Sequence, residues 1–424
     1  MMNKKISLLY DATAVCSILT NNSSRSGIFF VAYNVLLELL KRPEFEVYLY
    51  ADNLIQLQEV IKTYPEFQNC KIYKFSFLQE WITALLNLKN KNKSKKGNPI
   101  LRSIYGLLAS LLKKGYCLTK KWIDLKDIDV YFSPVKAVPS FVAKNKRIKK
   151  YTILHDAIPL VNNNSKNKKQ VWFYSLVKSI NKDDFYFANS EFTKNDFLKY
   201  VNTFTPEHIT VIPLSTGKLY RKTEDKTVID LVKQKYNIPS DKKYVFSLCS
   251  LNKRKNLIFS IRNFLKFIEK NDLNNLIIVL GGAYFDGFEK ILQENLLEYG
   301  DDLKNKILHI GYVDDNDLSA LYSSAEMFLF PSLYEGFGMP VLEAMQCGLP
   351  VICSNCTSLP EVIGDCGIQI NPHSDDEMVC AMEKMYFDRE FRNTCIEKGL
   401  ERAKLFSWEK CVDIISNEIK ATIE

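Results

Sequence analysis

The chain has 424 residues, 46% of them hydrophobic and 25% charged, which excludes a disordered chain and also a single ordinary core, so two domains are expected. Its net charge of +8 is unevenly spread: residues 1–218 hold 33 Lys/Arg and 17 Asp/Glu, whereas residues 219–424 hold 24 and 32. A basic half joined to an acidic half points to an anionic partner for the first half.

In chain order, short apolar runs predict strands over 6–10, 46–50, 130–132, 150–154, 185–188 and 209–212, with a helix over 31–40. The junction is expected near 213–217, followed by a charged linker and helix to 236. Further strands are predicted over 244–248, 276–280, 307–310, 327–330 and 351–353, with a helix over 257–269. Strands alternating with helices indicate parallel α/β sheets, and the pattern occurs twice. The expected fold is therefore α/β, with two doubly wound Rossmann-like domains facing a cleft at the carboxyl ends of their strands.

Eleven cysteines are scattered without a disulfide framework, and no signal peptide is read, which together point to the cytoplasm. No apolar run reaches the roughly 20 residues of a membrane span. Cys353 and Cys356 form a C-x-x-C with Cys366 and His373 beyond it, but no second pair has suitable spacing and no metal site is expected.

Residues 84–121 depart from the alternation, with ten Lys/Arg and no acid. Leu101, Ile104, Tyr105, Leu108, Leu111 and Leu112 recur at helical spacing beside Arg102, Lys113 and Lys114. A basic amphipathic helix suits an anionic membrane surface. The other reading is a solvated loop followed by a packed helix. No nucleic-acid motif accompanies the charge, and no nucleic-acid partner is expected.

The most informative stretch is Glu335-Gly336-Phe337-Gly338-Met339-Pro340-Val341-Leu342-Glu343. An apolar strand precedes it. Pro340 suits the start of a helix, so the stretch reads as strand, glycine turn and helix, with Glu335 in the loop and Glu343 on the first turn. Free N–H groups at such a helix start attract anions. Two carboxylates flanking them supply acceptors for sugar and ribose hydroxyls. A lone pair of acids with turn glycines would also serve an ordinary turn, with Glu343 complementing the helix dipole.

The wider context, Gly311-Tyr312-Val313 upstream and Cys347-Gly348-Leu349-Pro350 downstream, makes residues 311–367 closely resemble the donor-binding half of the retaining glycosyltransferases of family four. The resemblance implies the GT-B fold, with Glu335 and Glu343 as the family's E-x7-E pair. It implies that Glu343 takes the ribose hydroxyls, that Glu335 faces the transferred sugar, and that backbone from Gly336 to Leu342 meets sugar and phosphates. Tyr312 and Val313 would lie near the base. Asn252-Lys253-Arg254-Lys255 matches the family's phosphate-binding run, with Lys255 and Arg254 as its cations, although Ser250 stands where many members carry an arginine.

Ser24-Arg25-Ser26-Gly27 resembles the loop under the diphosphate, with Gly27 its one glycine. Leu154-His155-Asp156-Ala157-Ile158-Pro159 resembles the family's H-D-x-x-P strand end, giving His155 to the sugar or acceptor and Asp156 to its orientation. Ser190-Glu191-Phe192-Thr193 fits a helix N-cap of the same family, read as structural. A terminal helix from 406 to 423 is expected to cross back to the first domain.

The catalytic set implied is Glu335, His155 and Lys255. No cofactor is expected; the donor is a nucleotide diphosphate sugar, with GDP-mannose favoured by likeness to bacterial mannosyltransferase-like members. The partners are the nucleotide sugar, a glycan or lipid-linked acceptor, and an anionic membrane surface through 84–121. The alternatives are a nucleotide-sugar epimerase or phosphorylase on the same fold, and a sugar-nucleotide-binding protein without turnover.

Overall fold

A computed structural model describes residues 5–19, 27–73, 81–82, 84–86, 88–89, 98–119, 125–161, 171–249, 252–282, 288–297 and 299–423. The chain forms two compact units. One comprises Met1–Asn189, Lys194–Ile212 and Trp408–Glu424; the other comprises Ser190–Thr193 and Pro213–Ser407.

The first unit holds a seven-stranded sheet in the order β3-β2-β1-β4-β5-β6-β7. Its strands are β1 (Ile6–Asp11), β2 (Phe45–Tyr50), β3 (Lys71–Ile72), β4 (Val130–Ser133), β5 (Lys149–Leu154), β6 (Phe185–Ala188) and β7 (Ile209–Val211). The second holds a six-stranded sheet in the order β10-β9-β8-β11-β12-β13. Its strands are β8 (Lys243–Leu248), β9 (Leu276–Gly281), β10 (Ile307–Gly311), β11 (Met327–Phe330), β12 (Val351–Ser354) and β13 (Ile368–Ile370). The pairings in both sheets are parallel. Such strands are covered by helices on both faces, so they read as unbroken apolar runs. β4, β9 and β11 are buried at every residue.

In each sheet the order reverses once, between β1 and β4 and between β8 and β11. Loops leaving the carboxyl ends of such a strand pair run in opposite directions and leave a crevice. In the second unit the loop after β8 begins the helix Leu257–Lys270, and the loop after β11 begins the helix Met339–Gln346. Those loops carry Lys255 and Glu335.

The helix Trp408–Ile423 packs with the first unit, where Arg42 pairs with Asp413 at 2.8 Å and Lys420 lies 3.7 Å from Glu44. The helix Pro99–Thr119 occupies much of the basic segment. Lys91, Lys93, Lys95 and Lys96 lie outside the described residues. No described helix is long and apolar enough to cross a membrane.

Candidate active site

After β8 the chain makes one tight turn, Lys253–Lys255, and Asn256 takes a left-handed conformation (φ 56°) that starts the helix Leu257–Lys270. The turn places two cations on one carboxylate. Lys255 Nζ lies 2.6 Å from Glu335 Oε1 and Arg254 Nη1 lies 2.9 Å from the same oxygen. Ser332 donates to that oxygen at 2.6 Å, and Arg254 also donates to the Tyr334 carbonyl. The Lys255 ammonium sits 4.9 Å from the Phe330 ring centre. Glu335 is 8% exposed. Burial pushes its carboxyl up, but Lys255 and Arg254 outweigh burial and hold it below the usual range.

Glu343 is equally buried in a different setting. Its Oε2 accepts a hydrogen bond from the Tyr322 hydroxyl at 2.9 Å, and Tyr220 is its second phenolic donor. Burial outweighs both donors and pushes the carboxyl up to about 7. Glu343 is the fifth residue of the helix Met339–Gln346 rather than a first-turn residue, so a helix-dipole role does not suit it.

The glycine turn between the two acids has an ordered hydrogen-bond pattern. Gly338 has φ 110°, and a Cβ there would stand 2.6 Å from the Leu359 side chain, so both backbone and space require glycine. The carbonyls of Glu335, Gly336, Phe337 and Gly338 all accept bonds from within the second unit. The N–H groups of Gly336, Phe337, Gly338 and Met339 have no partner among the described residues. The sequence reading extended this backbone to Leu342. Pro340 has no N–H, however, and those of Val341 and Leu342 turn back to the Gly338 carbonyl. The side chains of Phe337, Val341 and Leu342 are buried core groups.

Tyr312 and Val313 follow β10, the edge strand two places from β8 and so about 10 Å along the sheet from it. Tyr312 is 52% exposed and Val313 is buried. Cys353 and Cys356 gather no further ligands; no group of three or more His, Cys, Asp or Glu able to hold a metal occurs among the described residues.

In the first unit, His155 follows β5. Its Nε2 lies 2.7 Å from the Pro134 carbonyl, which fixes the proton on Nε2 and leaves Nδ1 as an acceptor. Burial lowers the ring to about 4, so it is neutral near pH 7. Asp156 accepts the Ile158 N–H at 3.1 Å. Asn189 donates to the His155 carbonyl at 2.7 Å. Gly27 is the exposed first residue of the helix Gly27–Leu40, while Ser24, Arg25 and Ser26 lie outside the described residues, as does Ser250.

The second unit therefore combines a caged carboxylate, a carboxyl held by phenols and four open amides at the reversal of a parallel sheet. Residues 228–402 match the family model described as glycosyl transferases group 1. The chain carries a group 1 glycosyltransferase domain over those residues.

This glycosyltransferase is 28% identical to the O-antigen chain mannosyltransferase B of Escherichia coli over 342 residues, covering 80% of this chain and 88% of that protein. It resembles the solved structure of HepE from Anabaena in complex with UDP and glucose, with a TM-score of 0.66, 16% identity, and coverage of 99% of this chain and 100% of that one. It also resembles WaaG, a glycosyltransferase involved in lipopolysaccharide biosynthesis, with a TM-score of 0.62 and 14% identity over 98% of this chain and 99% of the other. These likenesses show the GT-B fold of two Rossmann-like domains.

Tyr220, Tyr322, Ser332 and Ser358 were not singled out from the sequence. Tyr322 lies 21 residues from Glu343, and nothing in its local pattern announces that contact. Ser190 and Thr193 were read as a helix cap. The Thr193 N–H does bond to Ser190 Oγ at 3.0 Å, but both hydroxyls also donate to the Gly336 carbonyl.

Proposed function

We propose that this glycosyltransferase moves a hexose, with retention at the anomeric carbon, from a nucleoside diphosphate sugar to a glycan or lipid-linked glycan. The observation that supports this most is the set of groups between β8 and the helix Met339–Gln346: Lys255 and Arg254 at Glu335, followed by four N–H groups without partners among the described residues. Breaking a sugar–phosphate bond leaves negative charge on the diphosphate. Fixed cations and open amides are suited to stabilise it. We assign Lys255, Arg254 and the amides of Gly336 to Met339 to the diphosphate, Glu335 to the sugar hydroxyls, Glu343 to the ribose and Tyr312 to the base. No metal is needed in this scheme, because the chain supplies its own cations.

In the first unit, neutral His155 can accept a hydrogen bond through Nδ1 from a sugar or acceptor hydroxyl. The new glycosidic bond forms as the sugar–phosphate bond breaks, and the acceptor's proton passes to the leaving phosphate. The name of the Escherichia coli relative supports a mannosyl donor, and so GDP-mannose. The UDP in the HepE structure makes UDP-sugars the comparison to run beside it. A thermal-shift panel of GDP-, UDP- and dTDP-sugars tests the donor: a rise in Tm with GDP-mannose alone is expected, and a rise only with UDP-sugars would replace it.

The third partner is an anionic membrane surface at the cytoplasmic face. Ile100, Leu101, Ile104, Leu107, Leu108 and Leu111 are exposed on the helix Pro99–Thr119, whereas Ala109 is buried. At about 100° per residue those six side chains share one arc of the helix, roughly 120° wide. An apolar arc within a segment of ten basic residues and no acid fits an interface of acyl chains and anionic headgroups.

A further inference from the structure

Four consecutive carbonyls in the glycine turn are held inward by side chains from other parts of the second unit or by the helix itself. Ser358 Oγ lies 2.9 Å from the Glu335 carbonyl and 2.9 Å from that of Phe337, so its single proton is shared between them. The Gly336 carbonyl between those two accepts from Ser190 Oγ at 2.7 Å and from Thr193 Oγ1 at 3.1 Å. The Gly338 carbonyl accepts the Val341 N–H at 3.0 Å. Ser190, Thr193 and Ser358 are all buried. Although Ser358 stands where the helix Leu359–Ile363 begins, its side chain makes no bond to that helix.

A trans peptide fixes the consequence. The C=O of one residue and the N–H of the next lie in one plane and point in opposite directions. Turning the carbonyls of residues 335 to 338 inward therefore turns the N–H groups of 336 to 339 outward. Those are the four N–H groups with no partner among the described residues. Thr357 Oγ1 accepts the Glu335 N–H at 3.2 Å, so the acid that opens the turn is fixed on both sides.

The segment bearing two of these hydroxyls is itself tied down. Both oxygens of Glu361 accept backbone N–H groups, from Glu191 and from Phe192, each at 2.8 Å. We propose that Ser358, Thr193 and Ser190, with Glu361 anchoring the last two, are positioning residues that aim the amides of Gly336 to Met339 at the donor diphosphate. This inference rests on the donor reading above. It adds a specific cause: the amides are pre-aligned by hydroxyl donors behind the loop, not by the glycines alone.

Thr193→Val removes the hydroxyl while keeping the volume, and Thr193→Ser keeps the hydroxyl while losing a methyl group. Calorimetric binding of GDP, with UDP in parallel, would be measured for wild type, Thr193→Val, Thr193→Ser, Ser358→Ala and the Thr193→Val/Ser358→Ala double variant, each with its Tm. The double variant is expected to bind the wild type's nucleotide about tenfold more weakly, as loss of two neutral hydrogen bonds implies. Thr193→Ser should bind like wild type. Affinity following side-chain volume, with Thr193→Ser weakened and Thr193→Val normal, would overturn the proposal. So would unchanged affinity in the double variant, or a loss explained wholly by a lower folded fraction. A wild type that binds neither nucleotide would sink the donor reading and this inference together, whereas normal wild-type binding with unaffected variants would sink this one alone.

Discussion

Glu335 and Glu343 have the same residue type, the same 8% exposure and the same short segment of chain, yet their surroundings push them in opposite directions. Glu335 meets Lys255 and Arg254 and is held ionised. Glu343 meets two phenols and no ion-pair partner among the described residues, and burial lifts it to about 7. Burial alone does not decide the state of a carboxyl; the charge of the nearest donor does. One end of the segment is an ion cage and the other a buried carboxyl, held by phenols, that titrates near neutrality.

The sharpest way to break this contrast is to remove the cage. Lys255→Ala leaves Glu335 with one cation and, on the proposed donor reading, removes a counter-charge from the leaving diphosphate. Turnover should fall by roughly 10²- to 10³-fold, the range for losing one fixed donor at a site of developing charge. Steady-state donor consumption measures it, and activity within a factor of two of wild type would show that Lys255 does not face the diphosphate. Activity should survive EDTA in the same assay; loss with EDTA and rescue by magnesium would transfer the role to a metal.

At the other end, Glu343→Ala should weaken donor and free nucleoside diphosphate together. Hydrogen bonds to a charged group contribute about 1.5–3 kcal/mol, or roughly 10- to 150-fold in affinity. Calorimetry with an unchanged nucleotide affinity would remove Glu343 from the site.

A pH series sharpens the comparison without a ligand. Because the folded Glu343 carboxyl titrates near 7 instead of 4.5, the native state binds the extra proton between those values, and stability falls as pH rises through that window. Glu343→Gln cannot lose a proton. Its Tm should approach or pass that of wild type as pH rises from 4.5 to 7.5, by an amount corresponding to at most about 3 kcal/mol. Glu335 has the opposite sign: its contribution is present above 4.5 and lost as pH falls through its lowered folded value. Glu335→Gln should therefore be most destabilising near neutrality and least so in acid. Parallel Tm profiles for the two variants would show that their environments do not differ as described.

The spacing of the two acids was legible in the sequence; their environments were not. The strands were legible too, because parallel strands buried on both faces are continuous apolar runs, and most predicted limits fall within a residue of the observed ones. β3 and β13 were missed, being two and three residues long and partly exposed. Glu343 was placed on the first turn because Pro340 was read as the helix start; the helix begins at Met339, which makes Glu343 its fifth residue. Ser358, and the second role of Ser190 and Thr193 beyond the helix cap, were not legible for another reason. Their partners are backbone carbonyls 146, 143 and 23 residues away, and a hydroxyl that bonds to a distant carbonyl leaves no periodicity to read.

The helix Pro99–Thr119 is the reverse case of both acids: apolar side chains exposed beside basic residues instead of acids buried beside partners. Its alteration should have the smallest effect on the donor site and the clearest effect elsewhere. The protein should sediment with vesicles containing anionic lipid and not with neutral ones, less so as salt rises. Each surface lysine contributes about 1 kcal/mol against such a surface. Changing Lys89, Lys91, Lys93, Lys95 and Lys96 to Ser should therefore lower anionic-vesicle binding while nucleotide affinity stays unchanged. Ile104→Ser with Leu108→Ser should lower it through lost apolar contact, even at low salt where lysine attraction is strongest. Loss from the lysine changes alone would reduce the helix to a charged tether. Equal binding to neutral vesicles would make it an unselective apolar surface, and binding to neither would leave the segment a solvated insertion, as the competing sequence reading has it.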